Sequence, residues 1–135
     1  MNALPFLKLY SLTGTLLLAC DLLWLGVLAK DFYRRHLPTL LRPEVRWGPG
    51  LLFYLLFVAA LVVFVVQPAL ERQSLTRAVV LGAFFGLTAY ATYDLTSLAM
   101  IRDFPTLVAV VDLAWGTLLS ALVSGLGYSL GRLIV

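Results

Sequence analysis

Four long apolar runs divide this chain of 135 residues, and they constrain its fold more than any other feature. The runs cover about residues 7–29, 50–66, 78–101 and 105–130. Each is close to the roughly 17–25 residues that an apolar helix needs to cross a bilayer core of about 30 Å. The sequence therefore predicts an all-α fold, an integral membrane four-helix bundle.

The composition leaves no room for a separate soluble domain. Hydrophobic residues make up 61% of the chain and charged residues 13%, and the mean hydropathy is +0.96, far outside the soluble globular range. Because little sequence lies between the apolar runs, residues 1–135 are predicted to form a single transmembrane domain. The short connections, above all residues 102–105, favour two antiparallel hairpins, helices 1-2 and helices 3-4.

The basic charge predicts an orientation and not nucleic-acid binding. The formal net charge is +3, and six of the ten Lys and Arg residues flank the first and third connections. This asymmetry favours cytoplasmic positions for those connections and places both termini outside. The expected partner is the lipid bilayer, with no nucleic acid, and the sequence is compatible with a homo-oligomer.

The first connection, residues 30–50, is the only long one. Apolar and basic residues alternate in its segment 31–37, as in a short interfacial helix, and Pro38 limits the length of that helix. Tyr33 and Trp47 suit the headgroup zone. We interpret the segment as a basic anchor at the membrane face, and the alternative is a binding surface for anionic lipid or another anion.

Three aspartates, Asp21, Asp94 and Asp112, interrupt the apolar runs. Each lies eight to ten residues from a charged boundary. At ~1.5 Å rise per residue, all three carboxyls are expected roughly 12–15 Å inside one membrane face. Ionisable groups at that depth are costly and mark a functional site by default. We expect the three carboxyls to converge in the interior of the bundle.

Aromatic and polar residues lie at helical spacing from these aspartates. Trp24 follows Asp21 by three positions and Trp115 follows Asp112 by three, which places both members of each pair on one helix face. Helices 1 and 4 run in opposite directions, so Trp24 is expected nearer the loop than its aspartate and Trp115 deeper. The other candidates for a ligand- or proton-binding site are Tyr54, Tyr90, Tyr93 and Ser97.

No Lys or Arg lies within the helices at this depth to neutralise the carboxyls. Three ionised aspartates in a poorly solvated space would repel one another, and burial disfavours the ionised form. At least one or two are therefore expected to be protonated, bound to a cation or hydrated, with protons that belong to the cluster as a whole. No Cys/His spacing suits a metal, and the sequence names no cofactor.

Three roles remain for such a cluster. We interpret it as a carboxylate-lined, protonation-sensitive pocket by which the protein binds or translocates a small molecule, lipid or cation. One alternative is a membrane-embedded lipid-modifying enzyme with Asp94 or Asp112 as acid or base. The other is a structural or assembly protein in which protonated aspartates only hold the helices together.

Small residues at four-residue spacing predict close packing of helices 3 and 4, because they let helix backbones approach in lipid. Gly82 and Gly86 form one such pair, and Gly116, Ser120 and Ser124 form a stripe on the last helix.

Several segments resemble those of one bacterial membrane-protein family. They are Asp21-Leu22-Leu23-Trp24, Leu52-Phe53-Tyr54-Leu55-Leu56, Tyr90-Ala91-Thr92-Tyr93-Asp94-Leu95 and Val111-Asp112-Leu113-Ala114-Trp115-Gly116-Thr117. The family is catalogued as domain of unknown function 2177, and the resemblance spans essentially the whole chain. It implies a small, multi-pass, four-helix protein of the bacterial inner membrane, and it carries no activity.

Residues 17–21, Leu-Leu-Ala-Cys-Asp, resemble a lipoprotein processing site. The apolar run nevertheless continues past Cys20 to Ala29, so we predict an uncleaved first helix. Intact-mass measurement should find residues 1–19 in the mature protein. Loss of those residues, with a diacylglyceryl adduct on Cys20, would contradict this prediction.

Overall fold

Four long helices and one short helix make up the computed structural model, which describes residues 2–135. The long helices are α1, α3, α4 and α5, and α2 is a single short helix in the first connection. Their bounds are Ala3–Leu28 for α1, Phe32–His36 for α2, Trp47–Glu71 for α3, Leu75–Met100 for α4 and Thr106–Ile134 for α5. The long helices have 25 to 29 residues each and are apolar enough to cross a membrane. The predicted four-helix membrane bundle is confirmed.

The second long helix extends further than the apolar run 50–66 predicts. Helix α3 continues through Pro68 to Glu71, five residues beyond the end of that run. The turn Val62–Val66 is π-helical, and Pro68 lies in the first turn of the α-helical segment that follows. A proline has no N–H to donate, but an early helical position does not need that donor. The wider π turn therefore lets the helix continue past the proline.

Helices α4 and α5 form a tight antiparallel hairpin. Their connection reverses the chain within residues 101–105, with Asp103 in the left-handed region at φ 60°. A Cβ atom added to Gly82 would lie 2.6 Å from Ser124 Oγ, and one added to Gly86 would collide with the carbonyl oxygen of Gly116. The predicted small-residue packing is therefore present, and no larger side chain fits at these positions without separating the helices.

The remaining helices pack on this hairpin through aliphatic side chains. Leu9 and Leu17 of α1, Leu61 of α3, and Leu119 and Val123 of α5 are almost completely buried and belong to one cluster. Large apolar side chains also cover the outer surface of the bundle, as lipid-facing helices require. Since lipid is as apolar as leucine, the bundle gains stability from close packing more than from removal of apolar surface from water.

The short helix α2 packs against the connected ends of α4 and α5. Leu37, Phe104 and Val108 are buried together there, with Phe32 and Tyr33 partly buried against them. The predicted helix in the first connection is therefore present, and one of its faces is held by the bundle. This packing brings Tyr33 over the end of the bundle where the three aspartates lie.

Replacing Gly86 by Ala tests the hairpin contact. The new methyl group meets a backbone oxygen that cannot rotate away, so we expect the free energy of unfolding to fall by about 1–3 kcal/mol. Gly50 of α3 has open space around its Cβ position, and Gly50→Ala is the matched control. Thermal unfolding in detergent should show a lower midpoint for Gly86→Ala only. Equal midpoints for the two variants would contradict the close contact.

Candidate functional site

Asp21 lies near the end of α1 and is held by donors from two other helices. It is 6% exposed. The Tyr54 hydroxyl of α3 donates to its Oδ2, and Trp115 Nε1 of α5 donates to its Oδ1 at 3.1 Å. Hydrogen bonds to the charged form of a carboxyl stabilise it. Both oxygens of Asp21 are thus supplied with neutral donors, which suits an ionised carboxylate.

Asp112 is joined to the short helix in the first connection. The Tyr33 hydroxyl donates to Asp112 Oδ1 at 2.8 Å, and Trp24 Nε1 donates to the Tyr33 oxygen at 3.2 Å. Burial raises the pKa of the Tyr33 phenol above its ordinary value, and the neighbouring Asp112 carboxyl adds to the rise. Tyr33 therefore remains protonated near neutral pH and acts as a donor to Asp112.

The indole rings of Trp24 and Trp115 stack on each other, with ring centroids 4.6 Å apart and planes within 8° of parallel. The two residues start at different depths, as the sequence indicates. Helical side chains, however, lean toward the N-terminus of their own helix. Trp24 therefore leans inward along α1 and Trp115 leans toward the loop along α5, so the rings meet. As a result, neither indole N–H bonds to the aspartate three positions before it: Trp24 donates to Tyr33, and Trp115 donates to Asp21.

Asp94 differs from the other two aspartates. Its exposed fraction is 0%, and neither oxygen has a hydrogen-bond partner among residues 2–135. The carboxyl of Asp112 lies close enough to interact with it. Two ionised carboxylates offer each other only acceptor oxygens, whereas a protonated carboxyl can donate to its neighbour. Asp94 and Asp112 can therefore satisfy each other only when the pair holds a proton.

A recess of about 240 Å³ opens beside these groups. Its walls come from four of the five helices. They are Asp21, Trp24, Leu25, Tyr33, Tyr90, Asp112 and Trp115. Tyr90 is held there by the hairpin, because its ring lies where a Cβ on Gly116 would be.

Four of the candidate residues do not line the recess: Asp94, Tyr93, Ser97 and Tyr54. Tyr93 is 56% exposed and packs edge-on against Phe104 at a centroid distance of 6.0 Å. Ser97 is buried one helical turn from Asp94, and it is not among the lining residues. Tyr54 contacts the recess only through its bond to Asp21.

Tyr33 lines the recess although the sequence suggests a headgroup position for it. One sequence signal could have indicated that Tyr33 contacts the bundle. It is the alternation of apolar and basic residues in the first connection. That pattern predicts a helix with one apolar face, and such a face packs against apolar residues of the bundle. Which bundle residues it meets depends on tertiary packing and not on local sequence.

Within residues 2–135, no Lys or Arg side chain is buried with the carboxyls. All ten Lys and Arg side chains are exposed. Within residues 2–135, no group of three His, Cys, Asp or Glu side chains is placed to hold a metal ion. The polar partners described for the cluster are neutral phenol and indole groups.

Four apolar spans of this length define a multi-pass membrane protein. The chain belongs to the family described as "Predicted membrane protein (DUF2177)", which matches residues 6–129 and so confirms the resemblance seen in the sequence. No curated protein and no solved structure matches the chain.

Tyr33→Phe tests the link between the first connection and the cluster. The variant keeps the ring but leaves Asp112 Oδ1 and Trp24 Nε1 without their partner, so we expect a loss of about 1–3 kcal/mol of stability. Thermal unfolding in detergent measures the loss, and tryptophan fluorescence should report the changed setting of Trp24. Tyr93→Phe, at an exposed phenol outside the recess, is the control and should behave as the unmodified protein. If both variants unfold alike, the Tyr33 bonds contribute nothing.

Proposed function

We propose that this protein binds a small molecule, lipid or cation at the carboxylate cluster, and that protonation of the cluster controls binding. The observation that carries the proposal is the Asp94 carboxyl, which is fully buried, has no partner in the described chain and lies beside Asp112. Transport across the bacterial inner membrane is the wider role that we propose for such binding.

The cost of burial supports a titrating or cation-binding role for Asp94. An ionised carboxylate out of water is expensive unless it is paired or hydrogen-bonded. Asp94 lacks both a described donor and a described cationic side chain. The low-cost states of the pair are therefore one shared proton or one bound cation. Because both states place positive charge near the same oxygens, proton and cation compete.

Asp112 connects the buried carboxyl to the recess. It interacts with Asp94 on one side and lines the recess on the other. A ligand in the recess that favours an ionised Asp112 displaces the shared proton. Asp21 lines the same recess, and both of its oxygens accept hydrogen bonds from neutral donors. The two aspartates of the recess thus have different surroundings: Asp112 interacts with Asp94, and Asp21 accepts hydrogen bonds from Tyr54 and Trp115.

Asp94→Asn tests the proposal. Asparagine keeps the size and can donate to Asp112, but it cannot titrate. We expect the variant to fold, with a similar unfolding midpoint in detergent. We also expect a change in the retention of any small molecule that native mass spectrometry finds bound to the protein. The amount retained should vary with pH between pH 5 and pH 8 in the unmodified protein, and it should not vary with pH in the variant. In the unmodified protein, release of one proton on binding changes affinity by up to about tenfold per pH unit.

Asp103→Asn is the matched control. Asp103 is exposed in the connection between α4 and α5, and asparagine tolerates its positive φ. Its pH profile should equal that of the unmodified protein. If Asp94→Asn also leaves retention and its pH profile unchanged, Asp94 only holds the helices together, and the proposal falls.

A further inference from the structure

The walls of the recess combine two kinds of group, aromatic rings and carboxylates. Four of its seven lining residues are aromatic, two are aspartates and one is Leu25. From this combination we infer the class of ligand: a small organic ammonium ion, with Asp21 and Asp112 as counter-charges and the aromatic rings around its alkyl groups. The inference rests on the proposed function and narrows it from small molecules in general to this class.

The charge of the recess selects a cation. Two carboxylates line the recess, with Asp94 behind Asp112, and no Lys or Arg is buried with them, since all ten of these side chains are exposed. A positively charged ligand supplies the missing counter-ion. An anion would add repulsion to a site that already concentrates negative charge, and a neutral molecule would leave that charge uncompensated.

The chemistry of the walls selects an organic cation over a metal ion. Magnesium and calcium bind through six or more oxygens, which include water and carboxylates. In the recess both oxygens of Asp21 already accept hydrogen bonds, and residues 2–135 place no three His, Cys, Asp or Glu side chains together to hold a metal ion. Indole and phenol rings are poor replacements for water around a small metal ion. They do attract alkylammonium groups through the negative face of the ring, best of all with Trp.

The size and rigidity of the recess point to a small ligand. Its volume of about 240 Å³ is below the roughly 300–1,000 Å³ of pockets for drug-sized molecules. The stacked indoles of Trp24 and Trp115 are fixed through their N–H groups to Tyr33 and Asp21. Walls fixed before binding lose little conformational freedom when the ligand enters. A choline-sized ammonium ion fits these conditions.

Binding of choline against its neutral isostere, 3,3-dimethylbutan-1-ol, tests the inference. The two molecules share shape and hydroxyl group and differ in charge. Titration calorimetry on the full chain in detergent at pH 8 should show binding of choline and at least about tenfold weaker binding of the alcohol. Tetramethylammonium should compete with choline, and potassium and magnesium at equal concentration should not. Quenching of tryptophan fluorescence gives a second readout, because two of the three Trp residues line the recess.

Variants separate the aromatic contribution from the charge. Asp112→Asn and Trp24→Leu should each weaken choline binding about tenfold or more, whereas Trp24→Phe keeps an aromatic face and should lie between Trp24→Leu and the unmodified protein. Trp47→Leu is the control, since Trp47 is 63% exposed and lies outside the recess. Trp24→Phe retains a ring in the stack, so it remains informative if Asp112→Asn does not fold.

The outcomes distinguish the ligand class from the proposed function. Equal binding of choline and the alcohol, or equal competition by potassium or magnesium, overturns the organic cation. Absence of choline and tetramethylammonium binding at every pH overturns it too. If the protein still retains another molecule in a manner that depends on pH and on Asp94, the proposed function survives that failure. If Asp94→Asn is also silent, both fall.

Discussion

The contact between α4 and α5 is the constraint on which the rest of the structure depends. Residues at four-residue spacing on α4 face residues at four-residue spacing on α5 in antiparallel order. Gly82 meets Ser124, Gly86 meets Gly116 and Ser120, Tyr90 covers Gly116, and Asp94 interacts with Asp112. Because the glycines let the backbones approach closely, this register is held firmly. The same register that packs the hairpin therefore brings two carboxyls together and positions Tyr90 at the recess.

Much of the architecture follows from sequence, and the limits have physical reasons. The four spans and the small-residue seam are predictable, because hydropathy and residue size act locally. The passage of α3 through Pro68 is not, because a π turn earlier in the helix absorbs the proline. The ends of the helices also differ by several residues from the apolar runs, since polar residues such as Gln67 and Glu71 continue α3 beyond them.

For the site, the sequence indicates how deep the side chains lie in the membrane but not the direction in which they point. Counting residues from the loops indicates that Asp21, Asp94 and Asp112 share a level, and the structure places all three at the same end of the bundle. Counting does not reveal that the indoles of α1 and α5 lean toward each other, or that Trp115 bonds to Asp21. Nor does counting indicate that Tyr33 donates a hydrogen bond to Asp112 instead of lying in the headgroup zone. These contacts depend on side-chain direction and on how the first connection folds back, which only the assembled bundle defines.

The three aspartates bear differently on the choice between structural and functional roles. A purely structural explanation accounts for Asp21, whose two oxygens join α1 to α3 and α5 through Tyr54 and Trp115. Asp94 is fully buried and has no described hydrogen bond, so a structural role for it requires a proton shared with Asp112. An apolar residue of similar volume at that position would pack without a desolvation cost, and replacing buried charges in this way is often neutral or stabilising. A carboxyl there adds the ability to hold or release a proton next to Asp112. Our proposal that Asp94 exchanges a proton or a cation gives a reason for a carboxyl at this buried position.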